Sequence, residues 1–247
     1  FFMTTLSAYV LNFRGRLFPP LISGGMGTNI STDRLALAIE KIGGIAHVSD
    51  AELPDVCDRL FGTRFTAGKA KRFQALRTNS VKTEETFDLG AVREATLRYV
   101  GSLMERATGN GLLLINCMEK LTMNAGLETL KTRLNAALDA GIGGITLAAG
   151  LHLSSFRLMQ ENKRFHDALL GIIVSSQRAL NLFLRKSEST GRLPDYIVVE
   201  GPLAGGHLGF GMDWALYSLP AIVRQVKAYL AEKGLSIPVI AAGGVFT

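Results

Sequence analysis

Seven short aliphatic runs recur along this chain, at 21–22, 45–48, 112–117, 145–148, 170–174, 196–199 and 238–242. Between them lie stretches whose apolar residues fall at helical spacing. Most runs close on glycine, serine or a carboxylate. Runs this short, apolar but for His47, Asn116 and Thr146 and rich in β-branched residues, read as parallel strands buried on both faces. Strands alternating with helices build βαβ units, whose crossovers wind into either a barrel or a doubly wound sheet. The positions of the polar residues and glycines decide between the two. They gather after the first, third, sixth and seventh runs, as on the catalytic face of an eightfold barrel; a doubly wound sheet would collect them at one switch point. The expected fold is therefore α/β, a TIM-type (β/α)8 barrel forming one domain over 1–247, with the last strand and helices falling after Thr247.

Several local features can be anticipated. Ser31 or Thr32 is placed to cap a helix with Leu35, Ala38, Ile39 and Ile42 inward, stopped by Gly43 and Gly44. The stretch 52–110 is too long for one crossover helix and reads as a helical insertion, with helical pieces at 55–60, 69–76 and 91–107. A helix after the third run has Leu127, Leu130, Leu134 and Leu138 on one face. A long helix over 214–233 has Leu219, Ile222, Val223, Val226 and Leu230 inward.

Composition narrows the function classes. With 247 residues, 47% hydrophobic and 19% charged, the chain can bury a large core. Its net charge of +6 is spread out, and no nucleic-acid module accompanies it. The densest basic stretch, 64–77, reads as a solvated helix face. No apolar run approaches the roughly 20 residues a membrane span needs. Arg14 and Arg16 follow the apolar N-terminal residues, the reverse of a secretory signal. Two distant cysteines, Cys57 and Cys117, form neither a disulfide framework nor a metal site and suit the cytoplasm. The expected partner is a small molecule, with a homodimer left open.

The stretch 196–211, Y-I-V-V-E-G-P-L-A-G-G-H-L-G-F-G, concentrates the chemistry. A strand ends at Glu200 and delivers a glycine-rich loop whose backbone can approach a ligand closely. His207 stands in that loop with little side-chain packing to explain it. A neutral imidazole there is suited to accept a proton or to contact an anionic substrate. Glu200 is placed to order the loop or touch substrate. Ser175 and Ser176 close the fifth strand as turn formers or pocket residues. Asn116, polar within an apolar strand end, needs partners when buried. His47, His152, His166 and Cys117 read as structural or solvent-facing.

These segments carry a resemblance. E-G-P-L-A-G-G-H-L-G at 200–209 and I-A-A-G-G-V at 240–245, with S-G-G-M-G at 23–27 and I-N-C-M at 115–118, resemble the nitronate monooxygenase family, formerly called 2-nitropropane dioxygenases. The FMN-dependent enoyl-acyl-carrier-protein reductases share the same motifs. The resemblance implies an FMN-binding barrel. Gly25 and Met26 would lie against the isoalloxazine ring, Asn116 would hydrogen-bond it, and Gly205, Gly206, Gly243 and Gly244 would hold the phosphate by backbone N–H groups. It implies that His207 takes the α-proton of a nitroalkane or binds the nitronate, which dioxygen converts to a carbonyl compound and nitrite. It also implies a second, G-T-R-F-like phosphate loop after an eighth strand beyond Thr247. The G-T-R-F at 62–65 precedes the third strand and reads as coincidence. A barrel one strand short has two open edges. Two other readings stand beside this one: an NAD(P)H-dependent enoyl-thioester reductase on the same flavin, and a flavin-free, vestigial barrel.

Overall fold

The structure, a computed structural model, describes residues 9–68, 88–119, 126–206 and 209–245. It opens with a hairpin, β1 (Leu11–Phe13) and β2 (Arg16–Phe18), that the sequence reading did not anticipate. Its two-residue turn, Arg14 at φ 51° and Gly15 at φ 81°, has the left-handed conformation at both positions that tight hairpins favour.

The main sheet contains β3 (Ile45–Ser49), β4 (Leu112–Met118), β5 (Gly144–Ala148), β6 (Leu169–Val174), β7 (Tyr196–Glu200) and β8 (Val239–Ala242). The six strands follow one another in chain order, and every neighbouring pair is parallel. The first expected strand is present as a single parallel bridge, Ile22 to Ile45. Around it Ile45 N donates to Leu21 O and Ser23 N to Ile45 O, both at 2.9 Å. All seven aliphatic runs thus take neighbouring places in one sheet, curled as a half-barrel of the TIM type.

Helices α1 (Asp33–Lys41), α2 (Leu53–Phe61), α3 (Leu89–Arg106), α4 (Gly126–Asp139), α5 (Ser155–Met159), α6 (Gln177–Ser187) and α7 (Leu219–Glu232) complete the described elements. Strand residues Val48, Ile115, Leu147, Ile172 and Val199 join helix residues such as Val100, Leu134, Leu180 and Ile222 in one outer core. The opposite faces of the same strands form a second, inner cluster of Ile45, Leu112, Leu114, Leu169 and Tyr196 with Phe13 and Phe18 of the hairpin. The Phe13 and Tyr196 rings lie 5.2 Å apart, so the hairpin closes the N-terminal end of the barrel interior. Arg14 fastens it there, its Nε 2.5 Å from Asp195 Oδ1 and its Nη1 2.7 Å from the His166 carbonyl.

Three helix expectations are corrected. Thr32 caps α1, but Leu35, Ala38 and Ile42 are exposed and Ile39 half-buried, while Ala36 and Glu40 are buried. Ile42 lies past the last helical residue, and Glu40 turns inward to accept from Thr108 N, Thr108 Oγ1 and Gly111 N. Those bonds lower its carboxyl pKa against the opposing effect of burial. In α4, Leu127 is exposed and Arg133 is buried among the leucines. The last helix starts at Leu219, not at 214, because Pro220 occupies its first turn and Ser218 caps it; residues 214–216 form a separate 3-10 turn. The insertion contains α2 and α3 as expected, whereas the piece anticipated at 69–76 lies outside the described residues. The G-T-R-F turn closes onto Asp58, which accepts from Thr63 Oγ1, Phe65 N, Thr66 N and Thr66 Oγ1 and is held at a pKa of about 2. Its donors are already filled by a carboxylate of the chain itself.

Candidate active site

Alternation along the strands puts Ser49, Asn116, Ala148, Glu200 and Ala242 on the inner face at the C-terminal ends of β3, β4, β5, β7 and β8. Asn116 is the deepest polar side chain of this set with an unmet need. It is 5% exposed, and its Oδ1 has no hydrogen-bond partner. Gly25 lies directly over it: a Cβ there would stand 2.2 Å from Asn116 Cβ. Only glycine permits that approach. The loop that carries Gly25 is braced by Ser31, whose hydroxyl accepts from Met26 N at 2.6 Å and donates to the Gly24 carbonyl at 3.1 Å. Met26 is 41% exposed beside it. The structure therefore brings Gly25, Met26 and Asn116 to one place.

The loops after β7 and β8 form the opposite side. Gly201 N donates to Ala242 O at 2.8 Å, and Gly243 and Gly244 both take left-handed φ, 83° and 81°. A Cβ on Gly243 would meet Ala204 Cβ at 2.5 Å, and one on Gly244 would meet Leu203 Cβ at 2.6 Å. The two loops thus pack backbone against backbone. Gly206 also has positive φ, 89°, whereas a Cβ on Gly205 would meet nothing. None of the hydrogen bonds among the described residues uses the N–H of Gly205, Gly206, Gly243 or Gly244. These are unclaimed donors on glycine-rich backbone, the kind of group that receives an anion. His207 lies outside the described residues.

The remaining expected residues separate by role. Glu200 is half-buried, and burial alone pushes its carboxyl above the usual range. It makes no hydrogen bond among the described residues. Ser175 donates to the Gly209 carbonyl at 3.3 Å and so touches the glycine loop. Ser176 instead caps α6, accepting from Ala179 N at 3.1 Å. His166 is exposed in a turn. His152 is buried, with Nε2 2.6 Å from the Ala148 carbonyl and Nδ1 2.8 Å from Ser155 Oγ, and burial lowers its pKa to about 4. It fastens the loop after β5, where Ala149 and His152 themselves take positive φ.

Two features behind the site were not foreseen. Asp50 and Arg133 form a buried ion pair, 1% and 4% exposed. Asp50 N donates to Asn116 O, Met118 N to Asp50 Oδ1, and Arg133 Nη2 to Met118 O. The pair clamps the main chain from Asn116 to Met118. Its signal was present in the sequence as an arginine between Leu130 and Leu134. The second feature is a buried chain through His47, Thr146 and Tyr196, in which Thr146 is the direct partner of Asn116 in the β4–β5 ladder. Among the described residues no cluster of histidine, cysteine and acidic side chains could hold a metal ion, and no helix is long and apolar enough to cross a membrane.

Residues 110–247, more than half of the chain, match the family model described as Nitronate monooxygenase. The match takes in β4 with Asn116, Glu200 and both glycine loops; Gly25 and Met26 precede it. No curated protein matches the chain.

Proposed function

The chain belongs to the nitronate monooxygenase family of oxidoreductases, and from that premise we propose that it is an FMN-dependent enzyme that oxidises nitronates or nitroalkanes with dioxygen to carbonyl compounds and nitrite. The observation that carries the cofactor assignment is Asn116: a buried, unpartnered amide oxygen under a glycine that admits no side chain. A flat heterocycle with N–H groups on its edge supplies the missing donor. Two further features fit the group. Gly25, without a side chain, lets its loop lie directly on Asn116, and the N–H groups of Gly205, Gly206, Gly243 and Gly244, unclaimed among the described residues, suit a phosphate. Bound FMN would take electrons from the substrate and pass them to dioxygen.

The chain's own share is binding, orientation and proton transfer. Asn116, with Gly25 and Met26 beside it, would hold the ring, and the glycine loops would hold its anionic end. His207 is assigned the α-proton of a neutral nitroalkane, or the oxygens of a nitronate that arrives already ionised. Glu200, inward and unpartnered, faces the same mouth and is assigned to substrate contact or loop ordering, with Ser175 beneath the loop.

The visible spectrum of the purified protein, before and after nitronate is added in air, tests the assignment: a flavin band and nitrite release are expected. Anaerobic bleaching by NADPH with nitronate inert would replace it with the enoyl-thioester reductase reading, and a colourless protein that cannot be reconstituted with FMN would replace it with the flavin-free one. His207→Ala is expected to lose at least about a hundredfold in kcat/KM on a neutral nitroalkane, the scale of a general base, while keeping the flavin spectrum. Unchanged turnover in that variant would remove His207 from the chemistry.

A further inference from the structure

Beside Asn116, whose ladder partner is Thr146, the barrel interior contains a line of hydrogen bonds with only one possible direction. His47, buried, has Nδ1 2.6 Å from the Ser23 carbonyl and Nε2 2.6 Å from Thr146 Oγ1. Thr146 Oγ1 is in turn 2.5 Å from the Tyr196 hydroxyl. A carbonyl oxygen only accepts, so Nδ1 carries the ring hydrogen. Burial keeps the imidazole neutral, its pKa lowered to about 4, and Nε2 is then a bare acceptor. The Thr146 hydroxyl must donate to it, which leaves the Thr146 oxygen to accept from Tyr196. The two links at Thr146 are buried and the one to Ser23 half-buried, and all point the same way, from β7 through β5 and β3 to the first residue of the S-G-G-M-G loop. A second tie runs between the same partners, His47 N donating to Ser23 Oγ at 3.2 Å.

The loop this line reaches has no sheet of its own to hold it beyond the single bridge at Ile22. Its order rests on Ser31 at one end and His47 at the other. Between those two ties lies Gly25, whose backbone must stay against Asn116. A shift of the Ser23 carbonyl by a fraction of an ångström changes that gap. Gly171, opposite Tyr196 in the β6–β7 ladder, has no Cβ that would strike the tyrosine ring, so the hydroxyl is free to reach Thr146.

We infer that His47, Thr146 and Tyr196 are positioning residues: the directed line from Tyr196 to the Ser23 carbonyl sets the height of Gly25 over Asn116 and so shapes the cofactor face of the mouth. The cofactor part of this inference rests on the function proposed above; the loop part does not.

Thr146→Val and Thr146→Ser separate the two. In the protein without added flavin, hydrogen exchange of the Met26 and His47 amides, both bonded to the loop's ties, is expected to accelerate about tenfold in Thr146→Val. Amides within β6 should change less, and Thr146→Ser should restore the wild-type pattern. In the full chain titrated with FMN, the dissociation constant is expected to rise about tenfold in Thr146→Val and to return within about twofold in Thr146→Ser, on the scale of one hydrogen bond. Tyr196→Phe, which removes only the outermost donor, should give a smaller change in the same direction. ¹⁵N resonances of His47 should report the Nδ1–H form in the wild type. Equal acceleration of loop and β6 amides in Thr146→Val would reduce the line to ordinary core support and overturn the inference, as would an Nε2–H tautomer. A wild type that binds no FMN would overturn the proposed cofactor, while the loop exchange would still decide the positioning role.

Discussion

The floor and the mouth of this barrel use similar side chains for opposite ends. In the floor, the ring nitrogens of His47 and the hydroxyls of Thr146 and Tyr196 satisfy one another. Beside it, Asn116, the ladder partner of Thr146, has an Oδ1 with no partner, and among the described residues the Glu200 carboxyl makes no hydrogen bond and four glycine N–H groups are unclaimed. Buried polar groups in a native interior are almost always paired. Asn116 Oδ1 is such an exception beside a fully paired line, and with the open glycine backbone of the mouth it marks where something other than the chain supplies partners. The same contrast separates the histidines: His47 and His152 have both nitrogens engaged and are structural.

The largest test of the contrast is acid. His47 and His152 are held near pKa 4 against an ordinary value of 6.5, so the unfolded chain binds protons that the folded one refuses. Their contribution is complete above about pH 6.5 and is lost as pH falls toward 4. It amounts to on the order of 3 kcal/mol for each histidine. Urea midpoints measured from pH 7 to pH 4 should fall through that window; a flat profile would mean the floor is open to water. Next in size is Arg133→Met, which leaves Asp50 charged and unpaired in the interior and is expected to destabilise by about 3–5 kcal/mol in urea unfolding. A loss under about 1 kcal/mol would show that the clamp behind Asn116 carries little. The smallest stability effect belongs to the mouth. Asn116→Leu removes a buried acceptor that nothing satisfies, so unfolding free energy without flavin should stay within about 0.5 kcal/mol of wild type or rise, while FMN affinity drops about tenfold. A large loss of stability in that variant would place Asn116 with the floor.

Much of the architecture was legible in the sequence, because strands buried on both faces leave uninterrupted aliphatic runs. All seven runs became neighbours in the sheet. The glycine positions could also be read, since Gly243 and Gly244 adopt left-handed φ and Gly25 approaches another chain segment closely. The β1–β2 hairpin was missed because three-residue strands carry too little periodicity, although Arg14-Gly15 between Phe13 and Phe18 was a usable turn signal. Helix faces slipped where a polar residue was pulled inward by a distant partner. Glu40 answers to Thr108 and Gly111, and Arg133 answers to Asp50, both far along the chain. No periodicity within one helix reveals such a partner. The His47 line was invisible for the same reason, as its members come from three strands and acquire meaning only across the barrel.

The hairpin that closes the lower end has a consequence for the order of assembly. Its contact between Arg14 and Asp195 joins residues 181 apart. Closing a loop of that length alone would forfeit on the order of 4–5 kcal/mol of chain entropy. Once β3 to β7 have paired, that separation has already been spanned strand by strand, and docking the hairpin requires little more. Phe13 and Phe18 gain their full cover only when Ile45, Leu112, Leu114, Leu169 and Tyr196 stand together. The hairpin is thus a late arrival that registers a finished sheet, a seal and not a nucleus.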